Sequence, residues 1–69
     1  MHRDAVSSSN IMSAGYDSGS ETMELEFKDG SVYQYYNVSE HLYEQFKSAP
    51  SKGQFFHMYI KNSVPFSRV

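Results

Sequence analysis

The groups with which this 69-residue chain could do chemistry are three histidines, a run of three serines and eight carboxylates. His2, His41 and His57 fall in three separate segments. No two of them stand three or four residues apart, the spacing that aims two imidazoles at one metal ion. Ser7–Ser9 has no strand–turn–helix elbow to present a hydroxyl as nucleophile; it reads as an edge or turn whose hydroxyls satisfy backbone groups. Glu24 and Glu26 share one face of an alternating stretch, which suits a solvated surface better than an acid–base pair. Gly53 stands alone, so there is no glycine-rich phosphate loop. Cysteine is absent, which excludes a disulfide framework and a thiolate metal site. The chain is therefore expected to be non-enzymatic, with no metal and no cofactor.

Binding chemistry is better represented. The net charge of −2 hides an asymmetry. Residues 1–44 carry eight acids against Arg3 and Lys28, a net of −6, whereas residues 45–69 carry Lys47, Lys52, Lys61 and Arg68 and no acid, a net of +4. Four cations are a modest supply, able to meet phosphate or an acidic protein surface. Lys52 stands where a helix is expected to begin, and backbone N–H groups there also favour anions. His57 and Tyr59 are placed to stack on unpaired bases.

The elements that must position these groups follow from periodicity. Sixty-nine residues make one domain, and an aromatic fraction of 16% marks it as folded rather than disordered. Residues 10–17, NIMSAGYD, read as a first strand with Ile11 and Met12 on opposite faces. Residues 22–28 alternate cleanly, Met23, Leu25 and Phe27 against Thr22, Glu24, Glu26 and Lys28, as a half-buried strand does. Asp29–Gly30 is a hairpin signal, and SVYQYYNV (31–38) returns as a third strand. Ser39 caps a helix with Glu40 in its first turn and Lys47 in its last, and Pro50 stops it. Ser51 to Gln54 fits a capping box for a second helix, with Phe55, Phe56, Tyr59 and Ile60 as its apolar stripe. The expected fold is α+β: a three-stranded antiparallel meander followed by two short helices packed on one face. Residues 1–5 are expected to be a flexible N-terminus, 6–62 the domain and 63–69 a tail. No segment has signal-peptide or membrane-spanning character, so the expected location is cytoplasmic.

Hairpin register decides what the tyrosines do. A two-residue loop at Asp29–Gly30 sets Glu26 against Tyr33 and turns Gln34 and Tyr36 inward. A three-residue loop, Lys28–Asp29–Gly30 with Gly30 in a left-handed bulge, sets Leu25 against Tyr33 and Met23 against Tyr35. The first is the commoner turn but buries Gln34 without a partner, at a cost of about 1–3 kcal/mol. The second is favoured; it leaves Gln34 outside, lets the Tyr33 and Tyr35 hydroxyls reach the rim, and makes Tyr36 the tyrosine available to a partner.

VSSSNI (6–11), GYD (15–17), LEF with DG (25–30), YQY with Val38, and APSKGQFF (49–56) with Ile60 occur in one order and spacing. Together they resemble the KTSC domain, a short module named after the C-terminal region of some lysyl-tRNA synthetases and also found as a stand-alone bacterial or phage-type protein. The resemblance covers about residues 6–62. Ser39 stands where that family often has Pro, and His57 where it often has Asn. The resemblance implies no established reaction, and through the synthetase linkage it implies RNA. The functional expectation is a small non-enzymatic binding module that holds RNA (tRNA) weakly through the basic C-terminal helical segment, with Lys47, Lys52, His57, Lys61, Arg68 and Tyr36 as candidate contacts. The alternative is a protein-docking module using a sheet edge and exposed aromatics.

Overall fold

The computed structural model describes all 69 residues. The chain runs β1 (Asp4–Ala5), β2 (Ile11–Asp17), β3 (Thr22–Phe27), β4 (Val32–Tyr35), α1 (Glu40–Ser48), α2 (Lys52–Tyr59) and β5 (Phe66–Arg68). The strands form one antiparallel sheet in the order β1-β2-β3-β4-β5. The α+β arrangement with two helices on one face agrees with the sequence reading, but the sheet has five strands, not three. The two added strands lie in residues 1–5 and 63–69. They are two and three residues long, too short to show a period of their own, and they form because β2 and β4 each offer an unpaired ladder of backbone groups.

The β3–β4 hairpin has the bulged register. Leu25 lies opposite Tyr33 and Met23 opposite Tyr35. The Phe27 N–H donates to the Ser31 carbonyl, the Gly30 N–H donates to the Phe27 carbonyl, and Gly30 has φ +92°. β4 is shorter than expected because Asn37 takes a left-handed conformation (φ 61°), which turns the chain and drops Val38 into the core. A second bulge lies in β2: Ile11 pairs with Phe27 and Ser13 with Glu26, leaving Met12 as the extra residue. It keeps both Ile11 and Ala14 on the inner face and turns Met12 out to solvent.

Both helix caps form as expected. The Ser39 hydroxyl accepts from the Leu42 N–H and the Ser51 hydroxyl from the Gln54 N–H. α1 buries Tyr43 and Phe46, and α2 buries Phe56, with Ile60 just beyond its end. They cover Ile11, Ala14, Met23, Leu25, Tyr35 and Val38 of the sheet and strand ends. Tyr16 stacks on Tyr43 at 4.6 Å and donates its hydroxyl to the Val38 carbonyl. Tyr59, assigned to the apolar stripe from spacing, is 53% exposed and rests on Phe55, because α2 ends there and Phe56 and Ile60 take the inward positions.

The opposite sheet face is polar but not simply solvated. Arg3, just before β1, reaches across Gly15 to pair with Glu24, and donates to Ser13, which donates to Glu26. Gln34 donates to Glu24 at 2.9 Å, and the Tyr36 hydroxyl donates to Gln34. Glu24 is only 7% exposed, against the expectation of a solvated carboxylate, because Arg3 and Gln34 close over it. Hydrogen bonding from Gln34 and then Arg3 holds its carboxyl below the usual value, against the opposing effect of burial. Gly15 makes this possible: a Cβ there would collide with the His2 carbonyl oxygen and crowd Arg3.

Two expectations follow. Gly15→Ala, blocked by backbone, should cost about 1–3 kcal/mol. Gly30→Ala has open space around it and should cost about 1–2 kcal/mol, from the left-handed backbone alone, with Gly30→Asn recovering part of it. Chemical denaturation compares them, and an unchanged midpoint for Gly15→Ala would contradict the close crossing of β1. A lowered Glu24 pKa contributes stability that is complete above the ordinary carboxyl value of 4.5 and is lost as pH falls below it. Thermal melts of Glu24→Gln should therefore show a lower Tm at neutral pH and a shallower acid limb; a parallel acid limb would refute the assignment.

Candidate nucleic-acid interface

Where α2 meets the β4–β5 edge, the helix layer leaves a cleft of about 330 Å³. Its floor is aromatic: Phe27, Tyr33, Tyr35, Phe56 and Phe66. The register derived above is the reason Tyr33 and Tyr35 are there. Tyr33, Tyr35 and Phe66 are nearly parallel, with Phe66 inclined 15° to Tyr33 and 17° to Tyr35 at centroid separations of 6.1 and 5.8 Å. Phe56 meets Tyr35 edge-on at 5.1 Å, and Phe27 meets Tyr33 edge-on at 5.9 Å. Tyr35 is 4% exposed. No buried side-chain oxygen or nitrogen lacks a partner, so the Tyr35 hydroxyl, which no protein group binds, opens into the cleft it lines. Burial, and next to it the neighbouring Tyr33, push that hydroxyl up to about 12.

The rim is polar: Asn10, Gly53, His57, Lys61 and Asn62. Gly53, His57 and Lys61 are spaced by four, which brings them to one side of α2 and its C-terminal turn. Gly53 lies in close approach to this rim: a Cβ would stand 2.7 Å from the Asn10 Oδ1 and 3.3 Å from the Ser8 Oγ, side-chain ends that would have to shift. The Ser8 hydroxyl donates to Asn10 at 3.2 Å, so the serine run serves to hold Asn10 at the cleft mouth. No carboxylate is among the lining residues.

The six candidate contacts do not form one patch. His57 and Lys61 line the aromatic cleft. Lys52 sits about 100° around α2 from Gly53 and lines a separate groove of about 140 Å³ with Lys47, Asp4 and Val6. Lys47 is paired with Glu44 at 3.2 Å and lies over the Tyr43 ring; Lys52 donates to the Ala49 carbonyl. Arg68 lies across from Tyr33 in β5, and helps Ser31 hold the Asp29 carboxyl low, Ser31 being the larger influence. Tyr36 is on the opposite sheet face, half-buried and bonded to Gln34. Asn10 and Phe66 escaped the sequence reading. Phe66 carried one signal, an apolar residue between Pro65 and Ser67 in a segment able to start a strand after proline; Asn10 carried none. No three histidine or acidic side chains converge on a metal-sized point, and no helix is long and apolar enough to cross a membrane.

The model of the KTSC domain matches residues 7–64. This chain belongs to the KTSC domain family. It is 41% identical over 54 residues to a lysine–tRNA ligase from Trichormus variabilis, a match covering 78% of this chain and 10% of the ligase. The chain thus spans about a tenth of the ligases it matches. It is 34% identical over 61 residues to a small protein from Stutzerimonas stutzeri, with 88% of this chain and 86% of that protein covered. The crystal structure of a KTSC domain protein from Yersinia pestis superposes with a TM-score of 0.95 at 40% identity, over 99% of this chain and 96% of that one. Among the residues that carried the resemblance, Asp29–Gly30 form the bulged turn, Tyr33 and Tyr35 the cleft floor, Ser8 and Gly53 the surroundings of Asn10 at its mouth, and Gly15 the close crossing of Arg3 on the far face of this KTSC domain.

A raised tyrosine has a measurable consequence. Alkaline spectrophotometric titration should show one tyrosine ionising near 12, and Tyr35→Phe should abolish that step. Between the ordinary value of 10 and 12, the unfolded chain loses the proton first, so stability falls as pH rises through that interval. A complete set of tyrosines titrating together near 10 would contradict the burial of Tyr35.

Proposed function

We propose that this KTSC domain is a non-catalytic module that binds RNA, tRNA in the first instance, weakly and in the cytoplasm. The carrying observation is the cleft: an aromatic floor beneath a rim that bears His57 and Lys61 and lacks any carboxylate. Single-stranded RNA is held by base stacking on aromatic faces together with phosphate contacts from cations. Lys52, His57, Lys61 and Arg68 form no ion pair within the chain, so they are available for phosphate. The acidic balance of residues 1–44 limits how much duplex the surface can follow, which keeps the affinity low. The relatives support the reading: matching segments belong to lysine–tRNA ligases, proteins named for a tRNA substrate.

The second reading is protein docking through a sheet edge and exposed aromatics, favoured by the exposed side chains of Phe66 on β5 and Tyr59 on α2. Salt separates the two. Amide-resolved NMR titration with tRNA at low salt should move residues 53–62 and 66–68. The binding should weaken with salt, the logarithm of the constant falling by about 0.7 per phosphate neutralised for each unit of log salt. No shift in those segments or at Lys47 and Lys52 at millimolar RNA would refute the RNA reading; a salt-insensitive dimer by sedimentation would favour docking.

A further inference from the structure

We infer that the aromatic cleft is a one-nucleotide site: it takes a single unpaired base against Phe66, with the attached phosphate between His57 and Lys61. The inference rests on the RNA reading and narrows it to one site and one ligand class, a nucleoside phosphate whose base is not in a duplex.

Size comes first. About 330 Å³ is at the low end of the roughly 300–1,000 Å³ of small-molecule sites. It holds one nucleoside phosphate and leaves no room for a second base or for the edge of a helix. The stack comes next. Tyr33, Tyr35 and Phe66 lie nearly parallel, β5 is the last strand of the sheet, and Phe66 is 53% exposed. The three centroids lie 6.3, 6.1 and 5.8 Å from one another, a triangular cluster; Phe66 has no strand beyond it, and its exposed ring surface is where a flat base can lie. A paired base keeps both faces covered by its neighbours in the helix and cannot do so.

The phosphate position is also prepared. The C-terminal end of a helix ordinarily repels anions through its unpaired carbonyls. Here the Phe56 carbonyl accepts from the N–H groups of both Ile60 and Lys61. The Ser63 hydroxyl is shared by the Tyr59 and Ile60 carbonyls. With those oxygens engaged, Lys61 is the one lysine or arginine at the cleft rim, beside the His57 ring. The Asn10 oxygen is held by Ser8, which leaves its amide N–H₂ as a fixed donor at the cleft mouth for a base carbonyl or ring nitrogen.

The intact chain can be titrated by amide NMR with uridine 5′-monophosphate, adenosine 5′-monophosphate, inorganic phosphate, a short single-stranded RNA and the same RNA as a duplex. The expected result is that both mononucleotides move Tyr35, His57, Lys61 and Phe66, that the single strand moves the same set at lower concentration, and that phosphate and duplex do not. Phe66→Ala should weaken single-strand binding about tenfold and Phe66→Tyr should retain it, with Tyr16 and Tyr43 resonances unchanged as proof of folding. Inorganic phosphate reproducing the pattern, or duplex binding as well as single strand, would overturn the inference. So would tRNA binding at Lys47 and Lys52 that is indifferent to Phe66→Ala, which leaves the RNA reading standing. Absence of any response to nucleotide, oligonucleotide or tRNA would overturn both.

Discussion

The fold and its cleft depend on one turn. With Gly30 in a left-handed position, the loop Lys28–Asp29–Gly30 adds a residue to the hairpin. A side-chain period of two makes that single residue decisive: it assigns every member of β4 to a face. In the observed register Tyr33 and Tyr35 join Leu25 and Met23 beneath the helices, while Gln34 and Tyr36 face away. One step of slip would send the tyrosines to the charged side and a glutamine into the core. The aromatic floor and the polar network on the far face are thus two results of one constraint.

The far face shows how a small domain closes a sheet without a second helix layer. Glu24 sits on the central strand, where water would normally solvate it. Arg3 is laid over Gly15 and Gln34 arrives from β4, so the carboxylate is enclosed by opposite charge and an amide donor. Ser13, Glu26 and Tyr36 extend the bonding across three strands. No buried polar side-chain atom is left unpaired, as a core of ten hydrophobic residues requires. Asp4 and Ala5 are both exposed, so the N-terminal strand is held by its ladder to β2, by this network and by Val6 packed on the core.

Much of this was legible in the sequence, and for local reasons. The alternation of Thr22–Lys28, the Asp29–Gly30 turn and the serine caps at Ser39 and Ser51 act within a few residues, so their signals survive without tertiary information. Even the register followed from asking where Gln34 could go. What stayed hidden depends on partners distant in sequence. β1 and β5 exist because β2 and β4 have free edges. Glu24 is buried because Arg3 arrives from twenty-one residues away. The basic segment divides because Phe56 and Ile60 fix the rotation of α2, leaving His57 and Lys61 on the cleft side and Lys52 on the other. Asn10 joins the cleft by lying against Gly53, a partner distant in sequence.

On the proposed function, the hairpin register and the added strand β5 together make an aromatic surface that receives an RNA base. The most direct measurement is the set of intermolecular nuclear Overhauser effects between ring protons of Phe66 and Tyr35 and base protons of a bound single-stranded RNA. The account predicts contacts from both rings to one base, with the ribose of that nucleotide near Lys61. RNA bound with contacts confined to the Lys47 and Lys52 groove, and none to either ring, would contradict it.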